Sequence, residues 1–240
     1  MSFQSFGAQS AFVFPSGKKS IPIPSSGYGR PAANTSFAKQ LNVAAKRAMD
    51  IVISVVALAL LWPVFLIIMM IIKIEDPGPA VFRQQRWGQG GRKFTVLKFR
   101  TMYVGRCDKT GTKQTVKNDS RVTLVGAFLR KSNIDELPQL VNVLKGEMSL
   151  VGPRCHPVGL HAGGILYEEL VPSYHRRHAL RPGITGLAQI NKLRGPTLDK
   201  ERSRMRIVHD RLYVIKNNVW LDCQIIVLTA VRECWRGTGF

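Results

Sequence analysis

Between Ile51 and Ile72 the chain reads IVISVVALALLWPVFLIIMMII, a run without a formal charge. A straight helix over that run would be roughly 33 Å long, enough to cross a bilayer core, so an ordinary single span is the simplest expectation. Two features oppose it. Pro63 stands near the middle, where it deletes a backbone hydrogen bond and clashes with the carbonyl four residues back, so a kink or helix break is expected there. Both flanks are also basic, with Lys46 and Arg47 before the run and Lys73, Arg83, Arg86, Arg92 and Lys93 after it. Basic flanks stay on the cytoplasmic side, and one crossing cannot leave both there. A re-entrant helix-break-helix over residues 41–75 meets both constraints, with arms of roughly 15–20 Å that enter one leaflet and return. Asp50, at the lipid interface, then needs a basic partner, Arg47 or Lys46.

The charge of the chain restricts its partners. Lys and Arg number 35 against 15 Asp and Glu, a formal net charge of +20. Such an excess implies nucleic acid, a phosphorylated substrate or the acidic cytoplasmic face of a membrane. The basic residues are interleaved with apolar and glycine-rich segments, and no RNA-binding signature or zinc-finger spacing is present, so nucleic acid is not expected as a partner. Cys107, Cys155, Cys223 and Cys234 are scattered without a C-x-x-C pair and read as free thiols in a reducing compartment. With 240 residues there is room for one domain plus appendages. The first forty residues, rich in Ser, Gly, Pro and Ala, read as a flexible extension rather than a cleaved signal peptide.

Chemistry concentrates in Asn133 to Arg154, NIDELPQLVNVLKGEMSLVGPR. Pro138 fits only the first turn of the helix that Leu140, Val141 and Leu144 describe, which puts Asp135 and Glu136 at its N-terminus. The positive end of a helix favours ionised carboxylates and also welcomes a phosphate. Taken alone, Asp135 reads first as a helix cap, because acidic residues are ordinary in first turns. Arg121 to Lys131 has helical periodicity, with Val122, Val125, Phe128 and Leu129 on an apolar face. It brings Arg130 to one side of the dyad while Arg154 follows on the other, a spacing suited to a pyrophosphate cradle.

Four further segments complete the pattern. After the Asp76-Pro77-Gly78-Pro79 turn, Ala80–Phe82 and Lys93–Phe99 have strand character, and the glycines at 88, 90 and 91 between them predict a β-hairpin. Lys98 and Arg100 at its end are either solvated edge charges or site residues. The His175–His178 cluster reads as a lid or a surface helix, and its histidines have no fixed partner in sequence. RPGITGLAQI, residues 181–190, offers sharp backbone positions at Pro182, Gly183 and Gly186 beside Arg181 and Gln189. Leu221 to Trp235 is either a core helix or an amphipathic helix lying on the membrane.

The blocks KRAMD (46–50), PGPAVFRQQRWG (77–88), FTVLKFRTM (94–102), the long segment 118–154 and RPGITGLAQI resemble, in this order, the bacterial sugar transferases, also called monotopic phosphoglycosyl transferases. The resemblance runs from residue 41 to about residue 230. It implies an α+β fold, mainly helical with a small β-hairpin, comprising a single cytoplasmic catalytic domain at 76–240, the re-entrant membrane segment and interfacial amphipathic helices. The implied reaction moves a hexose 1-phosphate, glucose or galactose, from a UDP-sugar to polyprenyl (undecaprenyl) phosphate and releases UMP. Asp135 is the implied nucleophile and Glu136 the implied Mg²⁺ ligand. Lys98, Arg100, Arg130, Arg154, Arg181, Gly183, Thr185 and Gln189 are the implied substrate-binding residues. The implied location is the inner leaflet of the bacterial inner membrane, and a homo-oligomer is left open. Three departures from the family pattern stand out: Trp62-Pro63 in place of Ser-Pro, Cys155-His156 before Pro157, and Asn191 to Gly195 after the RPGITG block. A membrane-anchored polybasic binding or scaffold protein without turnover is the alternative reading.

Overall fold

The first element is α1, Phe37–Glu75, a helix of 39 residues. It belongs to a computed structural model that describes residues 37–106, 114–116, 118–196 and 199–236. The expected extension before Phe37, Cys107 and the side chains of Cys234 and Trp235 lie outside the described residues. Helical backbone continues through Trp62 and Pro63, so the break into two arms is not seen. Proline removes only its own N–H from the ladder, and the flanking leucines, valines and isoleucines otherwise favour continued helix over exposed backbone in an apolar run.

Along α1 the covered side chains recur every three or four residues. Asp50, Ser54, Ile68 and Ile72 are buried, and Ala57, Leu58, Phe65 and Met69 are half-buried between them. The opposite face, including Val52, Val56, Leu60, Trp62, Ile67 and Met70, is exposed and almost wholly apolar. Asp50 is not paired with Arg47 or Lys46. Its carboxylate accepts from the Leu150 N–H at 3.0 Å, while Lys46 donates to Asp222 at 2.6 Å.

Two short antiparallel strands, β1 (Val81–Trp87) and β2 (Lys93–Phe99), form the expected hairpin, with the first strand longer than its apolar start suggested. Helix α2 (Leu124–Lys131) begins later than the apolar pattern does, because Thr123 caps it by accepting from the Gly126 N–H. Glu75 at the end of α1 also accepts from the Leu124 and Val125 N–H groups, placing a carboxylate on the positive end of α2. Ile134–Glu136 is a 3₁₀ turn, and α3 (Gln139–Leu144) follows directly after Pro138.

Two side chains fix α3. Arg47 donates to the Val143 and Leu144 carbonyls at 2.7 and 3.0 Å, satisfying orphan acceptors at the negative end of the helix. Buried Asn142 behaves like an extra strand residue beside β2: its Oδ1 accepts from the Leu97 N–H, and its Nδ2 donates to the Thr95 carbonyl. This leaves Lys98, the next residue of β2, facing the turn that carries the dyad.

The chain continues through β3 (Ser149–Val151), the short hairpin β4 (His161–Ala162) and β5 (Ile165–Leu166), and a 3₁₀ turn at Tyr174–Ala179. Strand β6 (Gly183–Thr185) pairs parallel with β3. Helices α4 (Leu187–Ile190), α5 (Lys200–Lys216) and α6 (Val219–Arg236) complete the order. One core gathers Val96, Leu140, Val143, Met148, Leu150, Val151, Tyr213 and Ile225. A second joins Leu160, Tyr167, Leu170, Tyr174 and Ile207, and a third joins Ile68 and Ile72 of α1 to Phe99 and Leu129. Helix α6 contributes to the core and has an exposed apolar side: Asp222 and Ile225 are fully buried, while Trp220 is 73% exposed and Val227, Leu228 and Val231 are also exposed.

Candidate active site

The dyad turn starts at Asn133, held in the left-handed region at φ 55° by a 2.6 Å hydrogen bond from its Nδ2 to Glu233 of α6. Asn is among the residues that tolerate this conformation. The turn then presents the two carboxylates to unlike surroundings. Glu136 accepts from Lys98 Nζ at 2.6 Å and from the fork of Arg154 at 2.6 and 3.2 Å. Their positive charges hold it well below the usual carboxylate range despite its burial. Asp135 is 8% exposed, and among the described residues no hydrogen bond or ion pair reaches its carboxylate. Burial raises its pKa. Lys98 opposes that shift and the neighbouring Glu136 adds to it.

Asp135 and Glu136 open into a cleft of about 350 Å³ that also exposes Lys98, Arg100, Arg130, Arg154 and Gln189. Eight basic side chains line it against three carboxylates, a composition suited to a multiply charged anion. Arg130 donates to the Thr101 and Thr115 hydroxyls at 2.8 and 2.7 Å, and its charge also bears on Asp135. Arg100 reaches the cleft wall, but its guanidinium is bonded to the carboxylate and carbonyl of Asp76, so it ties the end of α1 to the hairpin. Gln189 donates to the Ile184 carbonyl, and its buried Oε1 has no partner among the described residues.

Arg181, Gly183 and Thr185 are not brought to the cleft. They form the wall behind the Gly152-Pro153-Arg154 turn: Gly183 N–H donates to the Pro153 carbonyl, and Gly152 N–H donates to the Thr185 carbonyl. A Cβ on Gly183 would stand 2.1 Å from the Gly152 nitrogen, so close backbone approach explains this glycine. The Thr185 hydroxyl meets that of Thr229 on α6.

A buried network behind Arg154 was not visible in the sequence. Arg177, in the cluster expected to be a lid or surface helix, is 1% exposed. Its guanidinium donates to the Arg154 carbonyl, to Asp210 of α5 and to His156 Nδ1. His156 is held neutral, its pKa well below the ordinary value because of burial and the charges of Arg177, Arg206 and Arg86, and so is unsuited to act as a general acid. Arg86, Arg194 and Arg206 also line the cleft. In the sequence these arginines are indistinguishable from surface charges; Arg86 precedes Trp87 and Arg194 precedes Gly195, but nothing local marks Arg206.

The donor set bears on Mg²⁺. Among the described residues no three His, Cys, Asp or Glu side chains are grouped to hold an ion by themselves. Glu136 is nevertheless an ionised carboxylate on the wall of the 350 Å³ cleft, which fits an ion bound through one carboxylate with water and substrate oxygens completing the shell.

Comparison with known proteins gives the family. Residues 41–236 match the model of the family described as bacterial sugar transferase. The chain belongs to that family. It is 52% identical over 200 residues to an exopolysaccharide production protein PSS of Rhizobium leguminosarum bv. phaseoli, covering 83% of this chain and 100% of that one. It is 46% identical over 198 residues to a UDP-glucose:undecaprenyl-phosphate glucose-1-phosphate transferase of Xanthomonas campestris pv. campestris, covering 82% of this chain and 40% of that protein. An undecaprenyl-phosphate glucose phosphotransferase of Komagataeibacter xylinus is 45% identical over 195 residues, 81% of this chain and 37% of its own length. The transferase thus spans the whole of the Rhizobium relative but well under half of the other two.

The burial of Asp135 has a consequence for stability. Its folded-state pKa exceeds its unfolded one, so ionising it destabilises the fold above the folded pKa, and the penalty disappears below the ordinary carboxylate range. Asp135→Asn is therefore expected to melt at or above the wild-type temperature at pH 8, with the gap closing as pH falls toward 4. Thermal melts across that range check this, and a lower melting temperature for the variant at pH 8 contradicts it.

Proposed function

We propose that this transferase moves glucose 1-phosphate from UDP-glucose to undecaprenyl phosphate, releases UMP and begins a surface-polysaccharide repeat unit. The observation that carries the reading is the division of labour in the dyad: Glu136 is neutralised by two cations while its neighbour Asp135 is buried with no partner of its own among the described residues. Two relatives are named for glucose phosphate transfer and one for exopolysaccharide production, which favours glucose over galactose.

In this mechanism an Asp135 oxygen attacks the β-phosphorus of the donor. The bond from that phosphorus to the α–β bridging oxygen breaks, and UMP departs with the electron pair. An oxygen of the lipid phosphate then attacks the same phosphorus, the aspartyl O–P bond breaks, and the carboxylate is restored beside a polyprenyl diphosphate sugar. Splitting the transfer lets each step proceed against one anion at a time. Lys98, Arg130 and Arg154 bind phosphate oxygens and offset the charge that gathers around the phosphorus. Glu136 keeps Lys98 and Arg154 aimed at that position and would hold Mg²⁺, whose chemistry is to screen the diphosphate.

Helix α1 supports a location at the membrane. Asp50 is bonded to β3, whereas Phe65, Ile68 and Ile72 pack on β2 and α2, so two parts of the helix roughly 22 to 33 Å apart along its axis hold one domain. A straight crossing between them would put those contacts on opposite faces of the bilayer. The contacts therefore favour a one-sided, monotopic arrangement with the apolar face of α1 in the cytoplasmic leaflet.

Two experiments follow. Purified transferase with UDP-glucose, undecaprenyl phosphate and Mg²⁺ is expected to release UMP, to lose that activity to a chelator and regain it with Mg²⁺. Asp135→Asn should reduce it by at least about a thousandfold. Turnover retained by that variant would contradict the assigned role, and no turnover by wild type on a panel of UDP-sugars would leave a binding or scaffold protein. Single cysteines placed at Ser36 and at Gln89 should both resist a membrane-impermeant reagent on intact cells, and labelling of just one would establish a crossing.

A further inference from the structure

The part of the cleft wall supplied by α5 holds a cation that no carboxylate among the described residues neutralises. Arg206 lines the cleft and is 8% exposed. Among the described residues its Nε has no hydrogen-bond partner, and Nη2 makes a long 3.3 Å bond to the Pro196 carbonyl. Asp210, one turn further along α5, is taken by Arg177. The other charges that bear on Arg206 are unfavourable: Arg154 and Arg202 join burial in lowering its pKa, and the nearby hydroxyl of Tyr167 offsets them only in part. A buried guanidinium in such surroundings destabilises the fold unless an anion completes it.

Its place in the fold indicates which anion. The neighbour of Arg206 on α5, Ile207, packs with Leu160, Tyr167 and Tyr174, a cluster to which α1 contributes nothing. Lys98 and Arg130 stand instead on β2 and α2, whose Phe99 and Leu129 share a cluster with Ile68 and Ile72 of α1. A phosphate carried on a lipid reaches the cleft from the side of α1. The α5 wall is left for the soluble substrate.

We propose that Arg206 binds the phosphate that remains with the departing nucleotide, so that donor and acceptor phosphates are held by different walls of one cleft. This rests on the function proposed above and adds the direction in which each substrate lies. It also implies that UMP leaves from the α5 side after the first step, without displacing the lipid.

The test uses the full chain in detergent. Arg206→Gln is expected to raise the KM for UDP-glucose and the inhibition constant of UMP by about tenfold or more, while the KM for undecaprenyl phosphate stays within about twofold. Arg206→Lys, which keeps the charge but loses the planar fork, should fall between wild type and Arg206→Gln. A rise confined to the lipid KM would assign Arg206 to the acceptor, and unchanged UMP inhibition would make it a purely structural residue; either result overturns the proposal. Should Arg206→Gln fail to fold, phenylglyoxal modification of wild type followed by peptide mass spectrometry gives the same answer. UMP is expected to protect Arg206 and a short-chain polyprenyl phosphate is not, and the reverse pattern or no protection refutes the assignment. Protection by UMP in a protein that turns over no UDP-sugar would instead fault the proposed activity while leaving the phosphate position intact.

Discussion

The site depends on the clamp around Glu136. Two carboxylates adjacent in sequence and both largely withdrawn from water repel each other, and the available cations are shared unequally between them. Lys98 and Arg154 both bond Glu136, which stays ionised, and Asp135 receives only their long-range attraction. Pairing Asp135 instead would stabilise the fold and blunt its lone pairs. The chain thus accepts a local instability where an unencumbered carboxylate oxygen is wanted, as functional sites often do.

Each arm of that clamp has its own support. Asn142 fixes β2 against α3 and so sets where Lys98 emerges, Arg177 holds the backbone from which Arg154 projects, and Glu233 holds Asn133 at the start of the turn. Helix α1 closes the frame, since Arg47 caps α3 and Asp50 anchors the strand leading to Arg154. The apolar helix is therefore part of the frame of the site. The same residues that place it on the domain also position the dyad turn, which couples the exposed apolar face of α1 to the geometry of the cleft.

Much of this arrangement was legible in the sequence where local rules act alone. Pro138 marked the start of α3, the glycines at 88, 90 and 91 marked the hairpin turn, and the spacing of Arg130 and Arg154 about the dyad brought both to one cleft. What escaped were facts of tertiary packing. Arg177 sits in a run that reads as solvent-exposed, and only the fold encloses it between Asp210, His156 and the Arg154 carbonyl. Gly183 and Thr185 look like ligand-loop residues because a glycine needed for close backbone packing leaves the same trace as one that approaches a phosphate. Pro63 predicted an interruption from a rule about isolated helices, whereas here the apolar neighbours carry the helix through it.

The central claim is that Asp135 itself becomes bonded to the sugar phosphate. Its most direct test is the mass of the protein after mixing with UDP-glucose and Mg²⁺ in the absence of any lipid. The account predicts release of up to one equivalent of UMP and a gain of one hexose phosphate on the peptide containing Asp135, reversed on adding undecaprenyl phosphate. An unmodified peptide, from enzyme that turns over fully once the lipid is supplied, would contradict it.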